Sequence, residues 1–485
     1  MVATISLALA PAVARGETAR PNVVVIVTDD QRWDELDGMP VVRRELIGKG
    51  VTFSNGFVVN PLCCPSRTSI LTGQYSHTSG VYREIPPYGG FQSLRDGSTL
   101  ATWLDAAGYD TALVGKYIDR YQAAALAGYV PPGWDRWVAF VHSQYYDYRL
   151  SVDGKTRSLG HEPSDYSTDV LARYAEGFIR SAAGPLFLYF APAAPHYPAT
   201  PGPGLAGEPV PPASPTPAVD EVDVSDKPAW VRRLPRLGPS GVRAALDFRA
   251  DQERTLISVD RAVGGILTAL RQTDRLDNTL IVFMSDNGIL LGEHRWSKKE
   301  APYDEAIRIP FVVRWDRLGG PKGVADDEFA LNVDVAPTVA AAAGVDAPGA
   351  EGVSLLPLVA GRHPPWRSDF LVEHMEGANP IPTFCAVRSE TTMYVRYSTG
   401  EEELYDLASD PHELANLAGD PSRGPTLAAA RRRLAELCRP PPPGLYAAPA
   451  RSFASTWVVV SVLASVLGGA AAAEDRRRRV TSPRT

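Results

Sequence analysis

The chain predicts an α/β fold, a mostly parallel sheet with helices on both faces, followed by a smaller α+β unit with an antiparallel sheet. Three observations predict it. Short apolar runs rich in Val, Ile and Phe occupy 22–27, 111–114, 186–190, 279–284 and 310–313. Longer stretches with helical periodicity separate them, the order of elements that covers a parallel sheet on both faces. After Leu358 the pattern changes to short strand-like runs set close together.

The helical stretches include 98–107, where Ser98 is a plausible N-cap, and a long run over 243–273. Between them lies a proline-dense connection, 198–217, too long for a plain turn and a candidate roof for a site. Strands are expected at 369–374, 382–389 and 392–398, followed by the segment 402–407 and a final helix over 425–437. Residues 20–360 therefore read as the main domain and 361–438 as the second unit.

The two ends read differently from this body. Residues 1–19 are apolar and alanine-rich and resemble the late part of a signal peptide without its positive start. A Pro-rich linker, 439–453, leads to an uncharged stretch at 454–473, about the length a membrane helix needs. Four consecutive arginines then open a basic tail, 474–485, which places that tail in the cytoplasm and the body on the outer face of the cell membrane. The alternative for 454–473 is a buried core helix.

Composition narrows the function classes. The chain has 485 residues and a net charge of −7, so no basic stripe is available for a nucleic-acid partner. Its four cysteines are too few to be a disulfide scaffold at this length. Cys385 and Cys438 flank the last folded segment and can pair if the body is exported; two unrelated buried thiols are the alternative.

Two acidic motifs end predicted strands. Asp29 and Asp30 follow Val24-Val25-Ile26-Val27-Thr28, and Asp286-Asn287 follows Ile281-Val282-Phe283-Met284-Ser285. Each alone is compatible with a turn or a helix cap. Together they offer hard oxygen ligands at two strand ends of one sheet, where ligands gather in such folds, and they suit Ca²⁺ or Mg²⁺ rather than zinc.

The most specific string is Pro61-Leu62-Cys63-Cys64-Pro65-Ser66-Arg67-Thr68-Ser69-Ile70-Leu71-Thr72-Gly73. It resembles the signature of the type I sulfatases, in which a cysteine is oxidised to formylglycine and becomes the nucleophile. The resemblance selects Cys63, since proline and arginine must stand two and four residues on. It implies an alkaline-phosphatase-like fold and a single divalent ion, Ca²⁺ or possible Mg²⁺, held by Asp29, Asp30, Asp286, Asn287 and residue 63. It also implies sulfate-binding lysines at Lys116 and Lys299, a histidine near the leaving group at His196, and Arg67 beside the nucleophile. A formylglycine-generating enzyme acting on the unfolded chain is implied as a partner.

One position departs from that pattern. Family members commonly carry a histidine two residues beyond the first lysine, where this chain has Ile118; His142 is the nearest substitute. The local strings Cys63-Cys64-Pro65-Ser66-Arg67, Gly115-Lys116-Tyr117 and Pro131-Pro132-Gly133-Trp134 look most like the N-acetylglucosamine-6-sulfatase and arylsulfatase group. The expected reaction is hydrolysis of an aryl or carbohydrate sulfate. Rival readings are a phosphomonoester, phosphodiester or phosphonate hydrolase on the same fold, and a membrane-tethered glycan-binding protein whose Cys63 is never converted. His77 reads as structural, and His294 reads as either a substrate contact or a support behind the site.

Overall fold

Ten strands build the large sheet: β1 (Asn22–Thr28), β2 (Val51–Phe57), β3 (Asp110–Gly115), β4 (Arg136–His142), β5 (Arg149–Val152), β6 (Lys155–Ser158), β7 (Leu186–Ala191), β8 (Thr279–Ser285), β9 (Phe311–Arg314) and β10 (Val324–Leu331). Their spatial order is β10-β2-β9-β8-β1-β7-β3-β4-β5-β6. The central run β8-β1-β7-β3-β4 is parallel throughout. These details come from a computed structural model that describes residues 20–446. The segments expected to be a signal (1–19), a membrane helix (454–473) and a basic tail (474–485), and the end of the linker from residue 447 on, lie outside the described residues. Among the described residues no helix is long and apolar enough to cross a membrane.

The central strands are apolar at every position because both faces are covered. All seven residues of β1 and of β8 are buried. Side chains alternate across β1: Val23, Val25 and Val27 enter one core, while Val24 and Ile26 enter the other. The second core is closed by the helices Ser167–Ser181 and Gly238–Gln272, which pack on each other.

The predicted strand at 310–313 exists as β9 but runs antiparallel to both neighbours. β2, β4, β5, β6 and β10 were not legible as strands. β2 and β10 carry polar residues at partly exposed positions, so their apolar signal is diluted. The predicted helix at 98–107 begins later, at Leu100, and its cap is Thr99, which forms a reciprocal capping box with Thr102. Ser98 instead accepts a hydrogen bond from the Trp103 indole at 3.1 Å.

The second sheet is antiparallel, in the order β11 (Asp369–His374), β12 (Phe384–Ser389), β13 (Thr392–Tyr397), β14 (Glu402–Asp406). It alternates in the same way. Phe370 and Val372 join the core of the large sheet, while Leu371, Cys385 and Tyr394 pack against Leu427 and Leu434 of the helix Gly424–Leu437. Truncating a ring in the shared core, such as Phe370→Ala, costs about 3–5 kcal/mol. The disulfide expected between Cys385 and Cys438 is formed and pins that last helix to β12.

Candidate active site

The parallel register brings the two acidic motifs together. Thr28 of β1 lies opposite Ser285 of β8, so Asp29 and Asp286 leave the sheet side by side, and the Asp286 amide donates to the Thr28 carbonyl at 3.0 Å. Asp30 follows in the left-handed region, with φ of 69°. A non-glycine residue held there marks a backbone fixed by its surroundings.

Lys116 arrives from the next strands. Gly115 ends β3 with φ of 128°, and a Cβ there would stand 1.9 Å from the Ala191 carbonyl oxygen, so no side chain fits. That close approach lets the Lys116 amide bond the same carbonyl at 2.7 Å and turns the ammonium towards Asp29. The Lys116 ammonium donates to Asp29 Oδ2 at 2.7 Å.

The signature string is a buried helix, Cys63–Thr72, closed by Gly73 at φ of 70°. Pro65 lies in its first turn, where a missing amide hydrogen costs no helical bond. Cys63 and Arg67, one turn apart, share a face. The Cys63 thiol donates to Asp29 Oδ1 at 3.4 Å and receives the Lys299 ammonium at 2.6 Å. Arg67 donates to Asp286 Oδ2 at 2.8 Å and to the Lys116 carbonyl at 3.1 Å. Cys64 points away into the core of the sheet.

Asp29, Asp30, Cys63 and Asp286 each bring one ligating atom within 4.8 Å of the others. Asn287 donates through Nδ2 to Asp30 Oδ1 at 2.6 Å, and its Oδ1 is buried with no partner. Lys299 donates to the same Asp30 oxygen at 2.6 Å. His196 presents Nε2 at 3.7 Å from Asp30 Oδ2, while Nδ1 lies 2.7 Å from the Tyr197 carbonyl oxygen. Every residue expected at the site is therefore in one cluster.

Burial and ion pairing compete here. Burial pushes the Asp29 carboxyl up, yet Lys116, His196, Arg67 and Lys299 outweigh it and hold the group well below its usual range. Burial carries Asp286 up to about 6 despite Arg67. The Cys63 thiol is raised by burial and further by Asp286, so this cysteine is a poor thiolate nucleophile as it stands. Burial opposes the charge on Lys116 and Lys299, but Asp29 and Asp30 respectively overcome it and keep both cationic.

A cavity of about 520 Å³ opens over the cluster, lined in part by Lys116, His196, His142, Gln144, Glu84 and Asp119. Glu84 and Asp119 each bring an oxygen within 4.8 Å of the Cys63 sulfur, and sequence reasoning missed both. Asp119 lies three residues beyond Lys116 and could have been sought; Glu84 sits in a loop with no motif. Ile118 and His142 both line this cavity. Of the proline-dense loop expected as a roof, Pro198 lines the cavity, whereas Ala213, Ser214, Pro215 and Thr216 line a separate pocket beside Arg32 and Arg249.

His294 is buried away from this cavity wall, with Nδ1 2.8 Å from Glu221 and its ring stacked on Tyr303. His77, as expected, is structural: its two ring nitrogens face Glu373 and Glu351 at 3.0 and 3.3 Å.

Residues 21–345 match the Sulfatase family, and residues 292–439 match the C-terminal region of N-sulphoglucosamine sulphohydrolase. The chain is 31% identical to an arylsulfatase of Volvox carteri over 90% of its length and 77% of that protein. It is 33% identical to human N-acetylglucosamine-6-sulfatase over 83% of its length and 81% of that protein. Among solved structures it resembles a protein in complex with its substrate D-glucosamine-2-N,6-O-disulfate, with TM-score 0.70 and 24% identity, covering 87% of this chain and 98% of that one. A phosphonate monoester hydrolase of Agrobacterium radiobacter has TM-score 0.71 at 21% identity, covering 87% of this chain and 96% of that one. The fold is alkaline-phosphatase-like, and the chain belongs to the sulfatase family as a sulfuric ester hydrolase.

Proposed function

We propose that the chain hydrolyses the sulfate ester of a carbohydrate, with N-acetylglucosamine 6-sulfate the leading candidate, through formylglycine derived from Cys63 and one divalent ion. The observation that carries this reading is the convergence of Cys63, three carboxylates and three cationic side chains at the strand ends. The buried thiol is disfavoured as a thiolate, which gives conversion to an aldehyde a chemical purpose. Once formed and hydrated, the aldehyde supplies an alcohol nucleophile together with a second hydroxyl on the same carbon.

The donor set fits a hard cation. Asp29, Asp30, Asp286 and Asn287 would hold Ca²⁺ or Mg²⁺, and the partnerless Asn287 Oδ1 is the atom left for it. When bound, the ion adds positive charge where the sulfate oxygens sit. Lys116 and Lys299 bind and orient those oxygens from either side of residue 63, and they stay cationic inside the protein. Arg67 fixes Asp286 and the end of β3 through its two hydrogen bonds. His196 Nδ1–H donates to the Tyr197 carbonyl, leaving Nε2 to hold the proton destined for the departing sugar oxygen.

The sugar reading is supported by the cavity, whose carboxylates Glu84 and Asp119 and the amide of Gln144 offer hydrogen-bonding groups to hydroxyls. The disulfide fits an oxidising compartment, which supports an exported body. The test combines two measurements. Mass spectrometry of the residue-63 peptide from the native host should show a loss of about 18 Da against cysteine, the exchange of thiol for aldehyde. The purified protein should release sulfate from N-acetylglucosamine 6-sulfate faster than it cleaves a matched phosphonate ester. An unmodified thiol would move the reading to a glycan-binding protein, and a phosphonate preference would move it to the hydrolase alternative.

A further inference from the structure

A second buried cluster lies beneath the active site, and nothing in the proposed reaction uses it. His294, Glu305 and Glu413 each bring a ligating atom within 4.8 Å of the other two. They are 0, 4 and 1% exposed. His294 Nδ1 is held by Glu221, which is in turn paired with Lys227 at 3.2 Å. That arrangement fixes the imidazole tautomer with its lone pair on Nε2, and Nε2 is buried with no partner. Glu413 is prepared in the same way: Oε2 accepts the Asp304 amide at 3.1 Å, and Oε1 is buried with no partner.

The charges are not balanced. Among the described residues neither Glu305 nor Glu413 has a cation within ion-pairing distance. The nearest arginines are committed elsewhere, Arg32 to Glu293 at 2.8 Å and Arg388 to Asp304 at 3.0 Å. His294 and Arg295 hold left-handed φ values of 49° and 63°, a backbone cost accepted to present the ring here.

We propose that His294 Nε2, Glu305 and Glu413 Oε1 form a second, structural site for a divalent transition metal ion, Zn²⁺ or Mn²⁺ by ligand type. One imidazole and two carboxylates match such an ion better than Ca²⁺, which takes oxygen ligands. The carboxylate of Glu221 behind the histidine is the outer partner that metal-bound imidazoles carry. The ion neutralises both glutamates. It also ties the segment preceding β9, which holds His294 and Glu305, to the loop after β14, which holds Glu413. Ligand atoms on one ion at about 2.0–2.2 Å stand about 3–4 Å apart, so small rotamer changes close the set.

The experiment uses full-length wild-type protein. Crystals soaked in Zn²⁺ and measured at the zinc absorption edge should show an anomalous peak between His294, Glu305 and Glu413, separate from any peak at Asp29 and Asp286. In solution, E413Q should bind one equivalent of Zn²⁺ fewer than wild type and lose the rise in melting temperature that Zn²⁺ produces. D286N, which alters only the strand-end ligand set, should still show the anomalous peak between His294, Glu305 and Glu413. No peak at the cluster, together with equal zinc stoichiometry in wild type and E413Q, overturns the proposal and leaves the glutamates sharing a proton. If E413Q does not fold, the wild-type anomalous map decides alone. Neither result depends on sulfatase turnover.

Discussion

The two buried charge clusters are equally withdrawn from water, yet only one balances its own charge. At the strand ends Asp29 faces Lys116 at 2.7 Å, Asp30 faces Lys299 at 2.6 Å and Asp286 faces Arg67 at 2.8 Å. At the lower cluster, Glu305 and Glu413 face the His294 imidazole and, among the described residues, no cation within ion-pairing distance. The difference separates two uses of burial. The upper cluster is preorganised, with cations held in place by carboxylates until an anionic substrate arrives. The lower one leaves two buried carboxyls without an ion pair among the described residues, a place that the proposed ion would occupy.

The largest effect should come from breaking the upper cluster at Cys63, the proposed nucleophile. Cys63→Ala is expected to reduce aryl sulfate hydrolysis by about 10⁴-fold or more. Cys64→Ala, one residue away but facing the core, should keep most activity and lose about 1 kcal/mol of stability. Equal losses would show that the two cysteines do not differ in the way their surroundings imply.

Removing one of the waiting cations should cost less. Lys116→Ala or Lys299→Ala is expected to lower kcat by about 10²–10³. Removing Lys116 also releases the pull on Asp29, so that carboxyl should titrate closer to its ordinary range, measurable by NMR of labelled aspartate. An unchanged kcat in both variants would remove the two lysines from the sulfate site.

A smaller effect, confined to stability, is expected from the disulfide. Cys385 and Cys438 are 53 residues apart, and opening a loop of that length costs about 4 kcal/mol by chain entropy. Cys438→Ser should therefore lower the denaturation midpoint while leaving kcat near the wild-type value. A comparable loss of kcat would show that the last helix supports the active site directly.

The mildest prediction concerns His77. Burial disfavours its charge, but Glu351 and Glu373 raise it to about 10. A raised histidine stabilises fully below its unfolded value, about 6.5, and the contribution fades as pH rises towards the folded value. Wild-type melting temperature should therefore decline between those limits, and His77→Gln should flatten the slope. Parallel pH profiles would show that this pair contributes nothing measurable.

Much of this could be read from the chain. The central strands announce themselves because burial on both faces demands apolar residues at every position, and Cys63, Arg67 and the strand-end aspartates follow from local strings. β2 and β10 were hidden because partly exposed positions carry polar residues. Glu84 and Asp119 were hidden because only the path of two loops places them beside residue 63.

The sequence by itself predicted the fold class from residue type at short range, and its signature string pointed to Cys63 and a set of hard-oxygen side chains through the resemblance to sulfatases. The tertiary structure alone decided which charges meet: that Arg67 reaches Asp286 across 219 residues, and that His294, Glu305 and Glu413 share one buried space. The physical reason is that a Coulomb interaction depends on separation and dielectric, and a folded chain sets both without regard to distance along the sequence.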